Sequence, residues 1–202
     1  VTAHKSGGEV VVDNGHVRVT ASHEGVHIAT MGRTLVDALS LATQADAGDS
    51  YTPSLRGDPE SLQVISVRLG ATGPLRATVH VRWRWRAGAE RIVVRTALVL
   101  DAGAAVVRCD VQGDNRRKQH RLRLCWHTDV RDAKASPALV IADAAFGPVQ
   151  RTPVAVVPDA HPFERPPTTC PLHRWIGTSD AARGATLISD GLAEGEARDG
   201  QL

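Results

Sequence analysis

Leu75-Arg76-Ala77-Thr78-Val79-His80-Val81-Arg82-Trp83-Arg84-Trp85-Arg86 alternates strictly along its length. Val79, Val81, Trp83 and Trp85 fall on one side of an extended chain; His80, Arg82, Arg84 and Arg86 fall on the other. A period of two is that of a β-strand with one buried face. Upstream, Leu62, Val64 and Val67 lead into the turn Gly70-Ala71-Thr72-Gly73-Pro74. Downstream, Gly88 turns the chain into Arg91 to Asp101, and Ala104 to Gln112 follows around Gly103. His120 to Val130 then sets Leu122, Leu124 and Trp126 against Arg121, Arg123 and Cys125. Strands recurring about every ten residues between Gly-rich turns predict an antiparallel sandwich or barrel. Residues 61–130 are therefore expected to be antiparallel strands that bury Val79, Val81, Trp83, Trp85, Leu122, Leu124 and Trp126, with helix minor.

The same period extends towards the N-terminus. Glu9 to Asp13 and His16 to Thr20 flank Asn14-Gly15, a hairpin signal between two β-branched runs. Gly25 to Thr30 reads as a third short strand. Arg33 to Ala47 is ambiguous: Leu35, Val36, Leu39 and Leu41 stand among good helix formers, yet Leu35, Leu39 and Leu41 also share a period-two face. Residues 152–171 carry Pro153, Pro158, Pro162, Pro166, Pro167 and Pro171, which reads as an extended surface connector. Leu172 to Thr178 and Gly184 to Asp190 read as two further strands.

The chain has 202 residues, of which 42% are hydrophobic and 23% charged, enough apolar material for a packed core. That length suits one large domain, or two small ones at a stretch. Aromatic residues are few, so the core rests on Val, Leu, Ile and Ala. No apolar run reaches the roughly 18 residues of a membrane helix, and no membrane association is expected. A net charge of +2 does not imply nucleic acid as a partner. Cys109, Cys125 and Cys170 are odd in number and widely spaced, forming neither a disulfide framework nor a zinc site; buried thiols lean towards a reducing, cytoplasmic compartment. The chain starts at Val1 without Met, and Asp199-Gly200-Gln201-Leu202 reads as a turn entering a strand. A piece of a longer polypeptide is expected.

Few stretches offer chemistry. Asp46-Ala47-Gly48-Asp49-Ser50-Tyr51 is an acidic loop that lacks the fuller ligand set of a calcium site; its plainer reading is a turn in which Asp side chains accept from backbone N–H groups. His127-Thr128-Asp129 sets His and Asp on one face of a strand, a known zinc-ligand spacing. No third ligand stands at recognisable spacing, although His120, His161 and His173 exist, and a surface hydrogen bond is the plainer reading. Arg82, Arg84 and Arg86 could meet phosphate, but Trp83 and Trp85 point away from that face, so base stacking is not served. The plainer reading is the solvated or domain-facing side of a half-buried sheet. Asn115-Arg116-Arg117-Lys118-Gln119 reads as a polar turn. No phosphate loop, nucleophile elbow or Cys–His pairing is present, and no two carboxylates are singled out as a glycosidase pair.

Four stretches, in order, resemble the C-terminal β-domain of glycoside hydrolase family 38, the α-mannosidases. They are Asp46-Ala47-Gly48-Asp49-Ser50-Tyr51; Gly73-Pro74-Leu75-Arg76-Ala77; Asn115 followed by His120-Arg121-Leu122-Arg123-Leu124; and Asp143 to Arg151 with Pro166, His173-Arg174-Trp175 and Gly184 to Gly191. The resemblance implies an all-β chain: a large antiparallel β-sandwich of the galactose-mutarotase-like type, spanning 1–202 as a single domain. It turns Arg33 to Ala47 towards strand and loop. It implies a parent enzyme that hydrolyses α-mannosides with zinc or another divalent metal, its catalytic carboxylates and metal ligands lying upstream. The chain itself is then expected to hold no catalytic, cofactor or metal residue and to be inactive alone. Its expected partners are the upstream catalytic domain and an α-mannoside, and a homo-oligomer is compatible with this reading. The β-domain of the family packs on the catalytic domain and can supply polar groups to the outer rim of the sugar site; Arg151 is the foremost candidate here, with Asp49 and Tyr51 behind it. An Arg fork suits vicinal hydroxyls or a carboxylate, while a surface ion pair is its plainer role. The alternatives are a mannosylglycerate hydrolase of the same family and a free-standing carbohydrate-binding sandwich.

Overall fold

The structure is a computed structural model that describes residues 1–49, 53–130, 138–152 and 168–202. Among them the chain forms strands and no helix. The chain divides into two compact units, Val1–Ala45 with Gly57–Leu124, and Asp46–Arg56 with Cys125–Leu202.

The first unit opens with an antiparallel meander: β1 (Thr2–Ser6), β2 (Glu9–Asp13), β3 (Val17–Ser22), β4 (Gly25–Thr30) and β5 (Arg33–Leu35), adjacent in that order. β6 (Leu39–Asp46) and β7 (Leu55–Ser61) follow. A second antiparallel sheet has the order β11-β10-β9-β8, built from β8 (Gln63–Thr72), β9 (Arg76–Ala87), β10 (Glu90–Asp101) and β11 (Arg108–Gly113). β12 (His120–Trp126) joins β6 and β7 in the order β12-β6-β7. The chain thus leaves the first unit within β6 and again within β12, and re-enters it within β7.

The core of this unit is where the alternation put it. β2 and β3 pack on β8 and β9, sheet against sheet. Val10, Val12 and Val19 of the meander are buried, as are Val79, Val81, Trp83, Trp85, Ile92, Val94 and Leu98 of the second sheet. Each such side chain contributes roughly 1.5–3 kcal/mol by leaving water. β9 and β10 pair over twelve residues, from Glu90↔Ala87 to Asp101↔Arg76. Both indoles also satisfy their polar edge: Trp83 Nε1 donates to Thr96 Oγ1 (3.0 Å) and Trp85 Nε1 to Glu60 Oε2 (2.9 Å).

The β2–β3 turn works differently from a simple two-residue hairpin. β3 starts at Val17, and Asn14 Oδ1 accepts from the N–H groups of His16 and Val17. Asn14 Nδ2 donates to the carbonyls of Asp101 and Ala104, both at 2.7 Å. That second tie explains a shift downstream. The strand expected from Ala104 begins only at Arg108, because residues 101–104 turn back through an Ala104 N–H to Asp101 carbonyl bond. Arg33 to Ala47 is β5 and β6, with Leu39 and Leu41 buried. Leu122, Leu124 and Trp126, expected in the core, are only half-buried. β12 is an outer strand of its sheet, and every residue of it is partly exposed on both faces. Arg117 is no mere turn residue. Its guanidinium lies 4.4 Å from the Trp85 ring centroid, its Nε is 2.9 Å from Glu90 Oε2, and it reaches His120 Nε2 at 2.6 Å.

The second unit holds β13 (Leu139–Ala144), β14 (Gly147–Arg151), β15 (Cys170–Pro171), β16 (Trp175–Ser179), β17 (Gly184–Ile188) and β18 (Glu194–Gly195). They form an antiparallel sheet of order β14-β13-β16-β17 and a small pair, β15-β18. Val140, Ala142, Leu172, Ile176 and Leu202 make its core, with Trp126, Cys170 and Leu187 packed around them. Asp199 and Gly200 take left-handed backbone (φ 49° and 78°) and turn the chain so that Leu202 exchanges both backbone bonds with Trp126, at 2.8 and 2.9 Å. Most of the Pro-rich connector, 153–167, lies outside the described residues.

Candidate functional site

A buried polar cluster of the second unit centres on Asp143. Along β13, Val140 and Ala142 turn inward, so Asp143 lies on the opposite face of the strand. It is nevertheless buried, and a buried carboxylate requires cationic or hydrogen-bonding partners. Arg174 Nε donates to its Oδ2 at 3.1 Å, and His173 Nδ1 lies 3.1 Å from the same oxygen. Both partners stand in the segment between β15 and β16, and their side chains are mostly exposed. The carboxylate therefore fixes that segment and orients the imidazole. Its partners here are a histidine and an arginine, whereas glycoside hydrolysis needs a second carboxylate about 5–5.5 Å away.

Arg151 closes β14, paired with Val140. Directly paired residues share a face, so Arg151 is directed to the side on which Val140 enters the core. Its Nε is buried and has no hydrogen-bond acceptor among the described residues, a donor that would cost about 1–3 kcal/mol if left unmet. It lies close enough to Cys170 to act on it electrostatically: burial pushes the Cys170 thiol up, and the Arg151 charge opposes that rise. Asp49 is exposed in the loop after β6. Tyr51 lies outside the described residues.

The acidic loop follows its plainer reading at Asp46, whose Oδ1 accepts from the N–H groups of Gly48 (3.0 Å) and Ser54 (2.8 Å). His127 and Asp129 do not share a strand face. β12 ends at Trp126, and Asp129 adopts left-handed backbone (φ 56°). Asp129 Oδ2 accepts from Arg183 at 2.6 Å, while His127 Nε2 lies 2.9 Å from Gln201 Nε2. Among the described residues no three His, Cys, Asp or Glu side chains are grouped to hold a metal ion. The donor set that a catalytic divalent metal requires is thus not offered by these residues. A cleft between Val130, Val140, Thr178 and Arg198–Gln201 has an interior of about 20 Å³, room for a water molecule and not for a sugar.

The cluster around Asp143 was legible only in fragments. His173-Arg174-Trp175 and Asp143 both belong to the quoted motifs, but nothing in their spacing pairs residues thirty positions apart.

No protein-family model matches the chain, and no curated protein matches its sequence. Solved structures do match. An alpha-mannosidase from Enterococcus faecalis V583 superposes with a TM-score of 0.78 at 16% identity, over 95% of this chain. A protein in glycosyl hydrolase family 38, also from Enterococcus faecalis, superposes with a TM-score of 0.76 at 14% identity, again over 95% of this chain. The fold is one carried within family 38 proteins. The chain spans about a quarter of either solved protein, 24% and 25% of their lengths. The resemblance read from the four motifs and the likeness in three dimensions thus arrive at the same proteins.

Proposed function

We propose that the chain is the non-catalytic C-terminal β-domain of an α-mannosidase-type glycoside hydrolase. In this reading it packs on an upstream catalytic domain that carries the carboxylate pair and zinc or another divalent metal, and it contributes to the outer rim of the α-mannoside site. The observation that carries the proposal is the match of nearly the whole chain to a quarter of each solved protein, with the motifs in family order. Arg151 supports a part in sugar contact, because among the described residues its buried Nε lacks an acceptor, which a hydroxyl or carboxylate could supply. Asp49 and Tyr51 are the secondary candidates.

Two measurements test this. The purified 202-residue chain should release nothing from an aryl α-mannoside, whereas the polypeptide that contains it should; release by the chain alone, abolished by Asp46→Asn, Asp49→Asn or Asp129→Asn, would make it an enzyme in its own right. In the longer polypeptide, Arg151→Ala should raise KM or lower kcat with Tm nearly unchanged. Unaltered kinetics with a lowered Tm would assign Arg151 a purely structural role.

A further inference from the structure

The outer face of the β8–β10 sheet is an arginine field. In register across β9 and β10, Arg86 stands opposite Arg91 and Arg82 opposite Arg95, with Arg84 between them. β8 adds Arg68, opposite His80. All seven side chains are exposed. Like charges directly opposed across strands are destabilising, yet no carboxylate pairs with Arg68, Arg82, Arg84, Arg91 or Arg95 among the described residues. The nearby acids are committed elsewhere: Glu90 to Arg117, Glu60 to Trp85, Asp101 to Arg76 and Arg108. Asp110, opposite Ala97, stands at the margin of the field. Edge protection does not explain the charge, since β9 and β10 are the central strands of their sheet.

We propose that this face binds a linear polyuronate, an acidic polysaccharide whose carboxylates run along β9. Alternate residues of a strand repeat at about 7 Å and neighbouring strands at about 4.8 Å, which sets Arg82, Arg84 and Arg86 in one row along β9 and Arg91 and Arg95 beside it on β10, with Val93 between them. A guanidinium fork takes a carboxylate through two parallel hydrogen bonds. A folded protein partner is disfavoured because interfaces have an apolar, aromatic-rich centre, and only Val93 and Ala97 interrupt this field. Single-stranded nucleic acid is disfavoured because both indoles of β9, Trp83 and Trp85, are on the buried face, which leaves His80 as the one ring of that strand beside the arginines. The proposal stands on the charge pattern and does not depend on the catalytic role of the parent polypeptide.

The test is retention of the chain by polygalacturonate at about 0.15 M salt, with neutral dextran, poly-glutamate and duplex DNA as comparison polymers. Binding to polygalacturonate is expected to exceed binding to the other three and to weaken as salt rises. Arg82→Gln/Arg84→Gln/Arg95→Gln should weaken it at least about tenfold, as three exposed ion pairs lost together would, with the strand signal in circular dichroism intact. Should that variant fail to fold, Arg68→Gln/Arg91→Gln serves in its place. Arg116→Gln, an exposed arginine outside the field, should change nothing. No retention, equal weakening by Arg116→Gln, or tighter binding to DNA or poly-glutamate would overturn the proposal.

Discussion

Truncating Trp83 to Ala tests the packing of the first unit most directly. The indole is 3% exposed, lies on the inner face of β9 between Val64 of β8 and Val94 of β10, and donates to the buried Thr96 hydroxyl at 3.0 Å. Removing a buried Trp side chain costs about 3–5 kcal/mol through lost transfer energy and the cavity left behind. The Thr96 hydroxyl, left without its donor, adds about 1 kcal/mol. Against a total stability of about 5–15 kcal/mol, that leaves the unit close to unfolding. Trp83→Phe keeps an aromatic ring, gives up the hydrogen bond and should cost about 1–2 kcal/mol. Arg82→Ala, one residue away on the exposed face, should stay within about 0.5 kcal/mol of the parent. Urea unfolding followed by circular dichroism gives all three values from the shift in midpoint at constant slope. A loss below about 1 kcal/mol for Trp83→Ala, or one as large for Arg82→Ala, would show that the face assignment of β9 is wrong.

Gly25 has φ +152°, and a Cβ there would run into the Asp37 carboxylate. Gly25→Ala should lower stability by about 1–3 kcal/mol, read as a drop in Tm. Asp143→Ala should cost about 1–2 kcal/mol, reduced from the value for a charged hydrogen bond because Arg174 and His173 are largely in water; a thermal melt checks it, and a double-mutant cycle with Arg174→Ala should give a coupling below about 1 kcal/mol. Burial, helped by Asp110, pushes the Cys109 thiol up to about 12. Cys109 should therefore resist iodoacetamide at pH 8 in the folded chain and react on unfolding. Because its folded pKa exceeds the unfolded one, its contribution is intact below about pH 9 and lost as pH rises towards 12. Cys109→Ala should flatten that decline in urea midpoint.

The strands that were readable from sequence are those that bury one face. In β9 and β10, Val79, Val81, Trp83, Ile92 and Val94 mark every second position, and burial follows them. β7 contains Arg56, Gly57, Asp58 and Pro59, is almost wholly exposed and lies at the end of its sheet. Its strand character comes from backbone pairing, which leaves no hydrophobic alternation, and Pro59 is tolerated there because a terminal strand need not donate on both sides. β1 and β14 are outer strands of the same kind. β12 failed in the opposite sense: its alternation is regular, but partial exposure on both faces left Leu122 and Leu124 outside the core. Asp46 was legible because its partners are within eight residues. Asp143 and Arg183 were not, since their partners come from tertiary pairing 30, 31 and 54 residues away.

The interrupted path of the chain imposes an order on folding. All segments of the first unit have been made once Leu124 emerges, whereas residues 46–56 belong with a unit whose remainder starts at Cys125. During synthesis the earlier unit can close while that excursion waits for partners whose first residue, Cys125, follows Arg56 by 69 positions. Contacts of such long sequence separation form slowly. Until they do, the excursion is held at both ends by β6 and β7 and stays open to proteases, so stalled or truncated chains should be nicked between residues 46 and 56 before they are cut elsewhere.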